Sequence, residues 1–251
     1  MDALVLDQVH KAYNNTRAVN GLSARIPAGI IQGFLGPNGA GKTTTLRMVM
    51  NILQPDSGRI EVLGHSSHVQ KDNRVAYMPE ERGLYPKMTV GNMLAYIGAM
   101  KGMNRQAMSS AINEWLEKVG LSQCLKKRVE ELSRGMQQKI QFIATVINKP
   151  ALVIFDEPFQ GLDPVNLEMI RNLMVELRDS GTTVILSTHM MDLAERLCDS
   201  LILINRGEKA LHGTFDEIRA TYTSNVVLLE AEGALDFLDT LPMVNAISRT
   251  G

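Results

Sequence analysis

"GPNGAGKTTTLRM", which runs from Gly36 to Met48, places three glycines and a lysine within seven residues. The apolar run "GIIQGFL" at residues 29–35 comes directly before it, and a helical pattern follows it. The spacing fits G-x-x-x-x-G-K-[ST], a loop whose glycines let backbone N–H groups wrap around a phosphate. The stretch therefore predicts a phosphate-binding loop between a strand and a helix.

Individual residues of this loop have distinct expected roles. We expect Lys42 to neutralise β- and γ-phosphate oxygens and the Thr43 hydroxyl to bind Mg²⁺. The helix that starts near Lys42 adds the positive end of its dipole. The predicted nucleotide-binding residues of the loop are Gly36, Pro37, Asn38, Gly39, Ala40, Gly41, Lys42, Thr43 and Thr44. The alternative is a glycine-rich turn with an incidental lysine, which the flanking strand and helix disfavour.

A phosphate loop alone does not separate a kinase, a GTPase, a motor protein and a transporter ATPase, but a second motif helps. "ALVIFDEP", from Ala151 to Pro158, is an apolar run that ends in two adjacent carboxylates. We expect Asp156 to hold Mg²⁺ at the end of a strand. Adjacent strand residues point to opposite sides, so we expect Glu157 to face elsewhere and polarise an attacking water. The alternative is an acidic turn after a buried strand. A water-activating carboxylate predicts hydrolysis of the nucleotide rather than transfer to a second substrate.

The amino-acid composition limits the classes of protein to which the chain can belong. The chain has 251 residues, 45% of them apolar, and a net charge of -1, which fits one large domain with at most a small appendage and disfavours a nucleic-acid partner. Cys124 and Cys198 match no metal-binding spacing and suit a reducing cytoplasm. The sequence contains no apolar run of about 18 residues and no signal-peptide pattern at its start, so we expect no membrane span and no export of this chain.

Alternation of strand and helix patterns predicts an α/β fold. The runs "ALVL", "GIIQGFL", "RIEVLG", "RVAYM", "ALVIFD", "TTVILS" and "SLILIN" are short and apolar, and several are continuous, as expected of strands buried on both faces. Helical patterns between them include residues 43–52 and 164–178, the second with Asp163 as N-cap and Pro164 in the first helical position. This order favours a largely parallel sheet.

Two regions depart from that alternation. From about residue 88 to residue 148 we find no good strand and three amphipathic helical patterns, with Asn104 and Ser133 as plausible N-caps. This predicts a helical subdomain inserted within the first 223 residues. The tail at residues 224–251 has a strand, helix, strand pattern, which is too small to fold alone and is assigned to a partial α/β appendage.

Taken together, the motifs resemble the ATP-binding cassette (ABC) family, the ATPase subunits of ABC transporters. The resemblance covers about residues 3–220 and keeps the family's motif order. Its elements, besides the two motifs above, are Tyr13 in "KAYNNTRAV", "YMPEERGLYP" at residues 77–86, "LSRGMQQ" at residues 132–138, "QGLDP" at residues 160–164 and "STH" at residues 187–189. The resemblance implies a phosphate-loop NTPase with a RecA-like core, an N-terminal antiparallel β subdomain, the inserted helical subdomain and a short C-terminal βαβ appendage.

Roles for further residues follow from the resemblance. In the family an aromatic residue at the position of Tyr13 stacks on adenine, and a histidine at the position of His189 contacts the γ-phosphate. The signature, here with Ser133 and Gly135, reaches across to the ATP of a partner cassette. The resemblance therefore implies a head-to-tail pair that encloses two ATP molecules, as a homodimer or with a second cassette. It also assigns Lys42, Glu157 and His189 to catalysis.

The sequence departs from the family pattern at two sites. The signature usually reads LSGGQ, and here Arg134 and Met136 depart from it while Ser133 and Gly135 remain. The position that normally carries glutamine in the Q-loop is Glu80. A carboxylate can still bind Mg²⁺, so we assign Glu80 to the metal together with Thr43 and Asp156.

Because the chain has no predicted membrane span, the resemblance implies a separate polytopic permease subunit and a peripheral position on the cytoplasmic face of the membrane. A groove wall at residues 84–103, rich in methionine, is predicted to receive a helix of that permease, although each methionine fits core packing equally well. "PEERGLYPKMTVGNML" resembles bacterial sodium- and drug-efflux cassettes, some of which continue into an appendage of which residues 224–251 look like the first half. The alternatives are a non-transport ABC ATPase that acts on ribosomes or nucleic acid, and a module that only senses ATP.

Overall fold

The computed structural model describes residues 1–14, 16–66, 73–81 and 83–221. Within them the strands are β1 (Asp2–Tyr13), β2 (Thr16–Pro27), β3 (Ile31–Leu35), β4 (Ser57–Val62), β5 (His65–Ser66), β6 (Val75–Met78), β7 (Leu152–Asp156), β8 (Thr183–Thr188), β9 (Ser200–Asn205) and β10 (Glu208–Gly213). The α-helices are α1 (Lys42–Val49), α2 (Val90–Met100), α3 (Arg105–Lys118), α4 (Arg134–Val146), α5 (Pro164–Asp179), α6 (Met191–Leu197) and α7 (Phe215–Thr221). The predicted strands and helices of the tail at residues 224–251 lie outside the described residues.

The strands form two sheets. One is antiparallel, in the order β2–β1–β4–β5. The other has the order β10–β9–β3–β8–β7–β6 and is parallel except where β10 pairs with β9. The expected antiparallel N-terminal sheet and largely parallel core are therefore both confirmed.

The continuous apolar runs of the sequence form the central strands of the parallel sheet. Every residue of β3, β7 and β8 is buried, as expected of parallel strands covered on both faces. Alternate residues of β7 face opposite layers: Leu152 and Ile154 pack with the antiparallel sheet and α1, whereas Val153 and Phe155 pack with the helices that follow. The central sheet thus separates two halves of the core.

Several elements were not among the runs recognised in the sequence, including β2, β10 and α6. Strand β2 buries one face only, with Leu22, Ala24 and Ile26 inward, so its apolar signal is weak. Strand β10 buries none of its residues, and helix α6 is only 7 residues long. Short or one-sided elements carry too few apolar positions to show a clear period.

Residues 88–148, all of which the structure describes, contain α2, α3, α4 and two short 3₁₀ helices, and no strand. The predicted N-caps are confirmed, because the side chains of Asn104 and Ser133 accept hydrogen bonds from Ala107 N and Met136 N. Phe142 of α4 stacks on Phe155 of β7 with ring centroids 5.1 Å apart. This aromatic contact joins the helices to the central sheet.

Helix α1 spans Lys42–Val49, so the predicted end at residue 52 was too late. Helix α5 begins at Pro164 with Asp163 as its N-cap, as predicted. Across the residues that the structure describes, none of the helices is both long and apolar enough to cross a membrane.

Candidate functional site

A cleft of about 290 Å³ lies where the carboxyl ends of the central parallel strands meet the start of α1. The residues that line it come from the phosphate loop and from four other segments. They are Ala18, Asn38, Gly39, Ala40, Gly41, Lys42, Thr43, Thr44, Glu80, Glu157, Gln160 and His189. The structure therefore brings most of the residues predicted for the site to one place.

The phosphate loop requires glycine at two of its positions. Gly41 has a φ of 106°, and a Cβ there would lie 2.3 Å from the carbonyl oxygen of Ala18. Gly36 has a φ of 151°, and its Cβ would lie 2.2 Å from the carbonyl oxygen of Ile204. Any side chain at either position would collide with a neighbouring strand. Because these two glycines have no side chain, the loop can lie directly against β2 and β9.

Lys42, the first residue of α1, folds back over this loop. Its Nζ donates hydrogen bonds to the carbonyl oxygens of Gly36 at 2.8 Å and Pro37 at 3.3 Å. No side chain caps the N-terminus of α1, whose first N–H groups remain available to an anion. A buried cation and free N–H groups at one point form a site for phosphate oxygens.

Glu157 does not continue the strand as we expected. Strand β7 ends at Asp156, and Glu157 adopts a left-handed conformation with a φ of 47°. Its N–H donates to the carbonyl oxygen of Ser187 at 2.9 Å, which ties this turn to β8. Glu157 does face differently from Asp156, but the turn and not the alternation of a strand directs its side chain.

Both carboxylate oxygens of Glu157 have hydrogen-bond partners. His189 Nδ1 donates to Oε1 at 2.9 Å, and the Thr188 hydroxyl donates to Oε2 at 3.2 Å. Met190 N donates to the Thr188 hydroxyl oxygen at 3.2 Å, which leaves the hydroxyl proton free for the carboxylate. Lys42 Nζ lies 3.9 Å from Oε1. The predicted catalytic residues Lys42 and His189 thus both approach Oε1 of Glu157, the third predicted catalytic residue.

Asp156 is only 1% exposed, and its two oxygens differ. Oδ2 accepts a hydrogen bond from the Tyr77 hydroxyl at 3.2 Å, whereas Oδ1 is buried and has no hydrogen-bond partner in the part of the chain that the structure describes. A buried carboxylate oxygen without a partner is costly unless a cation or water completes it. Within the described ranges no group of three or more His, Cys, Asp or Glu side chains could hold a metal by itself. The donors present fit Mg²⁺, which binds through one or two carboxylates together with phosphates and water.

Glu80 lies in the cleft, on a segment held by α4. Gln141 Nε2 donates to the carbonyl oxygen of Pro79 at 2.9 Å, beside Glu80. One turn earlier in α4, Gln138 Nε2 donates to the carbonyl oxygen of Pro158 at 2.9 Å, beside Glu157. Hydrogen bonds from helix α4 therefore fix the backbone next to Glu80 and next to Glu157.

Six predicted site residues do not line this cleft: Gly36, Pro37 and Asp156, which are described above, and Tyr13, Ser133 and Gly135. Tyr13 ends β1 and is 49% exposed. Ser133 caps α4, and a Cβ on Gly135 would lie 3.3 Å from Asn166 of α5. Their roles toward a nucleotide remain predictions.

Two residues that line the cleft were missed. Gln160 is the first residue of the "QGLDP" stretch that the sequence analysis noted, but that analysis did not assign it to the site. Ala18 reaches the cleft because β2 passes the loop at Gly41, which nothing in the local sequence indicates.

Comparison with known proteins agrees with this geometry. The family profile for the ABC transporter ATP-binding domain matches residues 19–160. The chain is 40% identical over 237 residues to the uncharacterized ABC transporter ATP-binding protein YhaQ of Bacillus subtilis, covering 94% of this chain and 80% of that protein. It is 37% identical over 210 residues to the Nod factor export ATP-binding protein I of Burkholderia lata, covering 82% and 68%.

A solved structure of the ATP-binding subunit of an ABC transporter superposes with a TM-score of 0.83 at 28% identity, covering 88% of this chain and 93% of that one. The profile spans more than half of the 251 residues, and the relatives align over most of the chain. With a phosphate loop, two carboxylates and a histidine gathered in one cleft, this chain belongs to the ABC transporter family as an ATP-binding subunit that hydrolyses ATP.

Proposed function

We propose that this subunit binds and hydrolyses Mg²⁺-ATP as a head-to-tail dimer, or paired with a second cassette, and so drives a separate polytopic permease. The main support for pairing of two cassettes is the position of the signature residues Ser133 and Gly135. Ser133 and Gly135 lie outside the chain's own cleft, at the exposed N-terminus of α4. A helix N-terminus attracts anions, so this one is suited to a phosphate that another chain holds.

The residues of the cleft have separate tasks in this proposal. Lys42 exchanges the carbonyl oxygens of Gly36 and Pro37 for phosphate oxygens, and Glu157 accepts a hydrogen bond from the attacking water. His189 and Thr188 hold Glu157 in place. Thr43, Asp156 and Glu80 are the residues that would hold Mg²⁺. When bound there, Mg²⁺ would supply positive charge that offsets the negative charge of the phosphates.

An exposed aromatic surface supports a permease partner. Tyr85 and Tyr96 pack edge to face with ring centroids 5.7 Å apart, and Met100 lies one helical turn beyond Tyr96. All three are well exposed, at 47%, 46% and 66%. We call these three residues the aromatic ridge. Exposed aromatic and methionine side chains are typical of helix-in-groove binding.

The other methionines of the predicted groove wall do not belong to this surface. Met78 and Met93 are buried in the core, and Met88 and Met103 are packed against it. For those four, the alternative of core packing was the right interpretation. The ridge is therefore smaller than the sequence suggested.

Export is the proposed direction of transport. The relative from Burkholderia lata is named for Nod factor export, and the "PEERGLYPKMTVGNML" stretch resembles efflux cassettes. We therefore propose an exporter with this chain bound peripherally on the cytoplasmic face of its membrane.

Co-expression with a candidate permease tests the proposal. A suitable candidate is a polytopic membrane protein encoded by a gene adjacent to this one. It should bring the chain into the membrane fraction, and without it the chain should stay in the supernatant. Tyr96→Lys should reduce membrane recovery severalfold and leave phosphate release by the isolated subunit unchanged. Ile52→Lys, which alters another exposed apolar residue outside the ridge, is the matched control. Equal recovery of Tyr96→Lys and the control would refute the docking surface.

A further inference from the structure

Asp156 is connected to α1 through Tyr77. Tyr77 lies on β6, the neighbour of β7, and its hydroxyl donates to Asp156 Oδ2 at 3.2 Å across 79 residues of sequence. The side chain of Arg47, on α1, lies close to the same Tyr77 hydroxyl. The three side chains therefore form a row from the helix of the phosphate loop to the carboxylate at the end of β7.

The direction of the hydrogen bonds in this row is fixed by chemistry. A carboxylate only accepts hydrogen bonds, so the Tyr77 hydroxyl donates to Asp156 Oδ2. A guanidinium has only donors, so Arg47 can only donate toward the phenol oxygen. Asp156 Oδ2 is thereby engaged, and the buried Oδ1 has no hydrogen-bond partner among the described residues.

The row also links two residues that we assign to the metal. Arg47 follows Thr43 by four residues on α1, so the two lie on the same side of the helix, one turn apart. One end of the row is thus built on the helix that carries Thr43, and the other end is Asp156 itself.

We propose that Arg47 and Tyr77 are positioning residues, which orient Asp156 with Oδ1 free for the metal ion and keep it in register with Thr43. This inference rests on the proposed Mg²⁺ site. Neither residue contacts the nucleotide in this proposal. Their loss should weaken metal binding while ATP binding without metal persists.

Tyr77→Phe tests this inference, since it removes the hydroxyl and keeps the ring. Mn²⁺ serves as the probe, added to the protein with one equivalent of ATP and followed by electron paramagnetic resonance. We expect the Mn²⁺ concentration at half saturation to rise on the order of 10-fold, as is usual when a partner of a metal ligand is removed. ATP binding in EDTA should stay within about twofold of wild type. Arg47→Gln should shift the Mn²⁺ titration in the same direction.

Thr182→Val is the matched control, because it removes a buried hydroxyl that bonds Pro150 O at 3.0 Å, at the opposite ends of β7 and β8. Its Mn²⁺ titration should match wild type. A Tyr77→Phe titration that also matches wild type would overturn the inference. If Tyr77→Phe does not fold, judged by near-ultraviolet circular dichroism, Arg47→Gln decides, and an unshifted titration overturns the proposal. If wild type itself binds no Mn²⁺ with ATP, the proposed metal site fails, and the role of Tyr77 fails with it.

Discussion

At the scale of single residues, the buried ammonium group of Lys42 has partners that phosphate oxygens can replace. The residue is 6% exposed, and its ammonium group bonds to two carbonyl oxygens of its own loop, with the Glu157 carboxylate 3.9 Å away. A buried lysine is tolerated only with such partners. Because the partners are neutral carbonyls for the most part, phosphate oxygens carrying full charge can replace them at a gain in electrostatic energy.

We expect Lys42→Ala to abolish hydrolysis and to weaken ATP binding greatly, because the γ-phosphate loses its main cation. Phosphate release and equilibrium binding of ATP measure the two effects. Lys118→Ala, at an exposed lysine that pairs with Glu176, is the control and should behave as wild type. Turnover at the wild-type rate in Lys42→Ala would show that the site is assigned wrongly.

At the scale of secondary-structure elements, hydrogen bonds of Lys101 connect helix α2 to helix α4. It follows the last residue of α2, and its Nζ donates to Thr145 O in the last turn of α4 and to Asn148 Oδ1 at 3.0 Å. Burial lowers the pKa of Lys101 to about 8. A lysine in an unfolded chain titrates near 10.4, so the folded state disfavours the charged form.

The sign of the pH dependence follows from that difference. Between about pH 8 and pH 10 the unfolded chain binds more protons at Lys101 than the folded chain does, so this residue makes the free energy of unfolding rise with pH. The slope approaches at most about 1.4 kcal/mol per pH unit. Below about pH 8 the cost of the buried charge is fully present.

We expect Lys101→Met to remove this rise, because methionine does not titrate. Urea unfolding between about pH 7.5 and pH 10 measures the free energy of unfolding for each protein. Lys149→Met, at an exposed lysine nearby, should keep the wild-type profile. Parallel profiles for wild type and Lys101→Met would show that Lys101 titrates normally in the folded state.

At the scale of the whole molecule, the proposed cycle depends on the association of two chains. An ATP molecule that contacts the loop of one chain and the signature of another stabilises the pair by mass action. Hydrolysis removes the γ-phosphate contact, and the pair then separates. In this proposal Glu157 activates the attacking water and is not required for ATP binding, so its substitution should stop the cycle with ATP bound.

We therefore expect Glu157→Gln to hydrolyse ATP very slowly and to accumulate as an ATP-bound dimer with two-fold symmetry, while wild type is mostly monomeric in ADP. Analytical ultracentrifugation at high protein concentration, with ATP and EDTA and then with ADP, measures the association. A monomeric Glu157→Gln with ATP would contradict the shared site. Normal hydrolysis by the same variant would instead remove Glu157 from catalysis.

The sequence by itself determined the features that depend on local pattern. The spacing of the glycines and Lys42, together with the strand and helix patterns on either side, identified the loop from Gly36 to Thr44. Continuous apolar runs identified β3, β7 and β8, and polar residues before helical patterns identified the caps Asn104, Ser133 and Asp163.

Only the tertiary structure decided the features that depend on residues distant in sequence. The direction of Glu157 comes from a turn tied to β8, and the bond from Tyr77 to Asp156 exists because β6 pairs with β7. Burial of Met93 and exposure of Met100 likewise depend on which side of α2 meets the core. Strand order and helix packing join segments that are far apart along the chain, and no local pattern of side chains encodes which of these segments become neighbours.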